Sequence, residues 1–192
     1  GGEFDLTTEA IANTSSVSVE SAATLDINGV TDTFDALSIA SGGIVSGAGT
    51  LAANVSGAAG SAITSGGTLI LGNAASSTGF ATDGTLTANS GHVVTLNDSD
   101  LALLGSSTVV NGTLVAANGL SMSSGDTVSG GGTITADLST NSGSIKPGNS
   151  PGILSVTGAL DLADGTYELE IDGTTAGTGA GFHDQTDVTG TV

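Results

Sequence analysis

Asp98 and Asp100, in the stretch Asn97-Asp98-Ser99-Asp100-Leu101, stand two residues apart. On a strand that spacing points both carboxylates to one side. Two carboxylates on one face can share acid and base work across a glycosidic bond, or offer hard oxygen ligands to Ca²⁺. Asp161 with Asp164, and Asp184 with Asp187, are further pairs of the first kind. The favoured reading of 97–101 is a turn with solvated carboxylates. Asp98 and Asp100 stand beside it as candidate Ca²⁺ ligands, and Asp98 and Asp184 as the acids of a polysaccharide-active alternative.

Gly148-Asn149-Ser150-Pro151-Gly152 spells G-x-S-x-G. In a nucleophile elbow the N–H of the residue after the serine helps to form the oxyanion hole. Here that residue is Pro151, which has no N–H, and no helical pattern follows it. A Ser-His-Asp triad would need His92 or His183, but serine is so abundant that proximity to a histidine carries little weight. His92 is read as a surface or edge residue beside a strand, and His183 as a loop residue. Lys146, the single lysine, sits next to Pro147 and is read as a solvated side chain. No catalytic residue is assigned, and the chain is read as non-enzymatic.

Composition says what must position these groups. The 192 residues carry 19 carboxylates against one basic residue, a net charge of −18. Nucleic acid is excluded as a partner, because phosphate neutralisation needs clustered Lys and Arg. Insertion into a membrane by this segment is excluded too, since no apolar run approaches ~18 residues. No cofactor is required, although Ca²⁺ would suit so acidic a chain. Gly, Ala, Ser and Thr make up more than half of the sequence, and the aromatics are Phe4, Phe34, Phe80, Phe182 and Tyr167. Such a chain cannot fill one thick core. A mean hydropathy of +0.29 and only 10% charged residues argue against disorder.

Period-two alternation recurs along the chain, as in Leu25/Ile27, Leu37/Ile39, Leu69/Leu71, Leu154/Val156 and Tyr167/Leu169/Ile171. It marks strands with one buried face. Asn28-Gly29, Asp83-Gly84, Asn111-Gly112 and similar pairs end these runs as turns. Gly-Thr-Leu or Gly-Thr-Ile returns at Gly49, Gly67, Gly84, Gly112 and Gly132, and 45–51 (Val-Ser-Gly-Ala-Gly-Thr-Leu) nearly repeats at 128–134. Loose periods near 20 residues in an all-β chain predict a right-handed, single-stranded parallel β-helix, a β-solenoid. Roughly ten coils stacked at ~4.8 Å would give a rod on the order of 45–50 Å. Residues 1–4 are read as a cloning remnant, 5–141 as solenoid coils, and 142–192 as a terminal β-helix module cut short. The whole is expected to be a fragment of a longer solenoid.

Residues 142–192 resemble the passenger regions of bacterial autotransporters and related large outer-surface adhesins. Those regions carry G-x-[LI]-x-PGNSPG-x-L-x-V-x-G-x-L-x-L, then an alternating strand, then D-Q-x-x-V-x-G after a loop. This chain has GSIKPGNSPGILSVTGALDL, then GTYELEIDG, then HDQTDVTGTV. The resemblance implies a right-handed β-helix displayed on the outer surface of a bacterial cell. The expected role is adhesive or structural, with a host-cell, neighbouring-cell or matrix glycan or protein as partner. Self-association through the solenoid ends, as in a surface-layer or filament subunit, is the alternative.

Overall fold

The computed structural model describes residues 2–7, 11–148 and 151–192, and among them there are strands and turns but no helix. Alternating β-branched and aliphatic residues form strands because each can bury one face, and the chain satisfies their N–H and C=O groups by pairing every coil with the next. The pairing is parallel throughout the main sheet. The chain therefore folds as a β-solenoid of about eight turns.

The coil has three faces. On the first, successive rungs begin at Glu3, Thr24, Ile44, Ala62, Thr85, Ser107, Thr127, Ser144 and Thr166. One residue further on, Phe4, Leu25, Val45, Ile63, Leu86, Thr108, Val128, Ile145 and Tyr167 form a single column. On the second face Leu69, Val94, Leu114, Ile134, Val156 and Val188 stack in register. The third holds Val17, Leu37, Val55 and Phe80, and, higher in the stack, Leu120, Leu138 and Leu160. These columns meet in a thin core in which Leu37, Val45, Ile63, Leu69, Phe80 and Leu114 are wholly buried. Burying each such side chain contributes about 1.5–3 kcal/mol, offset by the entropy of ordering the chain.

The eight turns are fewer than the ten that the sequence period suggests, because some corners take up extra residues. The segment 73–79 leaves the stack between the strand Ala62–Gly72 and the strand Phe80–Thr82. A longer one, 168–184, leaves it between Thr166–Tyr167 and Gln185–Val188. The Gly-Thr-Leu repeat is also less uniform than its spelling. Thr68, Val93, Thr113 and Thr133 share one register on the second face. Leu51, however, stacks on Leu71 rather than Leu69, after a register shift at Gly47/Gly49. Gly84-Thr85-Leu86 belongs to the first face.

Candidate functional site

The acids singled out from the sequence are dispersed over the corners. Asp98 follows the strand Val93–Asn97, and the chain turns there instead of continuing, so Asp98 is buried while Asp100 is exposed. The Phe80 N–H donates to Asp98 Oδ2 at 2.9 Å, and the Asp100 N–H donates to Asp98 Oδ1 at 3.0 Å. Asn118 Nδ2 donates to the Asp98 carbonyl at 2.7 Å. Asp98 thus clamps three levels of the stack. Its carboxylate does not converge with that of Asp100 on one face.

Asp184 does the same work at the other end. The Gly152 N–H donates to its Oδ1 at 2.7 Å and the Glu170 N–H to its Oδ2 at 2.8 Å. The next residue, Gln185, donates its N–H to the Gly152 carbonyl at 3.0 Å. The Pro-Gly corner and the Asp-Gln strand, separate in sequence, therefore meet through one buried carboxylate. Gly148 has φ +81°, and a Cβ there would lie 2.2 Å from Gly152 Cα, so this corner admits only glycine. Ser150 and Asn149 of the G-x-S-x-G stretch lie outside the described residues. Lys146 Nζ is 2.9 Å from Glu168 Oε2 in a half-exposed ion pair.

Asp32 is a third buried acid, which sequence inspection missed. It accepts the Thr33 N–H at 2.8 Å and the Ile11 N–H at 3.2 Å. Asp161, Asp164 and Asp187 are exposed; Asp161 accepts the Ala163 N–H, and Asp187 accepts Gln185 Nε2. His92 Nδ1 lies 3.0 Å from the Ser65 carbonyl and 3.4 Å from Ser65 Oγ. A carbonyl can only accept, so Nδ1 carries the proton and cannot serve Ser65 as a base. Ser65 itself is buried, and its Oγ accepts the Asn89 N–H at 2.9 Å. His183 Nδ1 faces the Gly173 carbonyl at 3.2 Å in the same way.

Two hollows lie along the corner between the first and second faces. One is an open cleft of about 590 Å³ that includes Lys146, Pro147, Glu168, Leu169 and Asp184. The other is a trough of about 470 Å³ lined by Asn89, Ser90, Asn111, Gly131, Gly152 and Thr178. Among the described residues, Glu3, Asp5 and Asp26 bring one ligand oxygen each to within 4.8 Å of one another. Asp5 and Asp26 are direct neighbours on adjacent strands.

These features define a β-solenoid whose buried carboxylates fasten corners. Comparison with protein-family models, curated proteins and solved structures returns no match.

Proposed function

We propose that the chain is a non-enzymatic structural and adhesive segment of a long secreted or cell-surface bacterial protein, serving surface attachment or cell–cell contact. One observation carries this reading. The buried acids Asp32, Asp98 and Asp184, the groups best shielded for acid–base work, each give both carboxylate oxygens to backbone N–H donors. They are spent on holding coils together. The resemblance of 142–192 to autotransporter passengers supports export and display, and the rod shape suits a role in which length and exposed surface matter more than a single deep site.

Beads coated with the purified chain are expected to adhere to bacterial or host-cell layers more than beads coated with an inert acidic protein. Reproducible glycan depolymerisation or ester hydrolysis by the pure chain would overturn the reading. Equal retention of both bead types would do so as well.

A further inference from the structure

We propose that the outer surface of the second face binds ice, by setting a two-dimensional array of threonine hydroxyls and methyl groups against the water lattice. This goes beyond the adhesive reading and does not depend on it. The Gly-Thr-Leu and Gly-Thr-Ile repeats place Thr68-Leu69-Ile70, Thr113-Leu114-Val115 and Thr133-Ile134-Thr135 on this face. The central residue of each is wholly buried, so the residues on either side of it point outward. Two outer columns result. One runs through Thr68, Val93, Thr113, Thr133 and Ser155, and the other through Thr50, Ile70, Thr95, Val115, Thr135 and Thr157. No register shift interrupts the ladder from Thr68 to Thr157.

The array therefore repeats at ~4.8 Å from coil to coil and at ~6.6 Å from column to column. Oxygen atoms on the prism faces of hexagonal ice repeat at nearly the same two spacings, slightly less than the first and slightly more than the second. Apart from Ser155 every member of both columns is β-branched, and such side chains are stiff at χ1. Each threonine thus presents its methyl group and its hydroxyl in a fixed direction. None of the column hydroxyls has a hydrogen-bond partner among the described residues. Threonines elsewhere are engaged: Thr82 Oγ1 accepts the Gly84 N–H at 3.0 Å, and Thr85 Oγ1 donates to the Ser61 carbonyl at 3.3 Å. The column hydroxyls are left to donate to and accept from water, between methyl groups that restrict the orientation of the water around them.

Charge is an independent observation. In a molecule of net charge −18, neither column carries an ionisable side chain until Asp187, which follows Ser155 at the far end. An ionised group would hold a hydration shell at odds with a neutral crystalline lattice. The corresponding outer column of the first face starts at Asp26 and ends at Lys146, so the uncharged array belongs to the second face.

The test follows the growth of a single ice crystal in a solution of the pure chain. Growth is expected to halt over a gap below the melting point, and fluorescently labelled protein is expected to coat the prism planes of an ice hemisphere. Thr135→Tyr and Thr157→Tyr alter exposed positions. Each is expected to melt as the wild type does and to lose both the gap and the coating. Ser124→Tyr, in an exposed turn away from this face, is expected to keep both. A wild-type chain that neither halts growth nor coats any ice plane would overturn the proposal. So would Thr135→Tyr and Thr157→Tyr proteins that act on ice as the wild type does.

Discussion

The coils spanning 24–72 and those spanning 144–188 share one stack yet are fastened differently. In the first region three long strands, Thr24–Ile39, Ile44–Gly57 and Ala62–Gly72, run round the corners almost without a break. Leu37, Val45, Leu51, Ile63, Leu69 and Leu71 are buried there to the last ångström of surface. In the second region the strands are short and the segment 168–184 swings away from the core, leaving Leu169 and Ile171 exposed. The carboxylate of Asp184 stands where the apolar columns thin out. Continuous columns make a stretch of solenoid self-supporting, whereas an excursion from the coil needs a polar clip at its return.

That contrast can be broken most forcefully in the apolar region. Leu71→Ala removes a wholly buried side chain stacked between Leu51 and Leu96. It is expected to cost about 2–5 kcal/mol in denaturant unfolding; a loss below 1 kcal/mol would show that the columns matter less than the backbone ladder. Asp184→Ala should come next, at about 2–3 kcal/mol, because the buried Gly152 N–H and the part-buried Glu170 N–H lose a charged acceptor. Here the loss should be local. Hydrogen exchange is expected to rise in 151–188 while the amides of 24–72 keep their protection, and uniform loss of protection would erase the distinction between the regions.

Thr108→Val is expected to stabilise by about 1 kcal/mol. The Thr108 hydroxyl is buried without a hydrogen-bond partner among the described residues, within a column that runs from Leu86 to Val128. Thermal melting would check this, and a destabilised variant would show that the hydroxyl is satisfied. Asp26→Asn should add about 0.2–1 kcal/mol at low ionic strength by relieving the Asp5–Asp26 opposition. The gain should shrink in salt. Lys146→Gln, which breaks only a half-exposed ion pair, is expected to change stability by less than about 1 kcal/mol.

The solenoid was legible because its cause is local. Leu25/Ile27 and Leu154/Val156 alternate for the same reason that their strands bury one face, and small residues at the corners leave only a thin core to fill. Tyr167, Leu169 and Ile171 carry that pattern too, but Ile171 is exposed. Alternation records which residues could be covered, not whether a neighbouring coil covers them. The corner acids show the same limit. The Asp98 bond to the Asp100 N–H is a local turn and could be anticipated from the spacing. The bond to Phe80 crosses between coils, as does that of Asp184 to Gly152, and no spacing rule within one strand foretells it. Asn111 reads as a turn residue ahead of Gly112; that it aligns with Asn89 along the axis follows only from the register of the strands before them.

Each coil is fastened chiefly to the one before it and the one after, with the rungs beginning at Thr24, Ile44, Ala62, Thr85 and so on up the axis. Under tension such a rod behaves as a spool. Force applied at one end loads the outermost rung first, and each rung that peels away frees roughly 20 residues, on the order of 65–70 Å of slack, before the next is loaded. A rod built this way yields by lengthening in steps, and its remaining coils stay intact under the load.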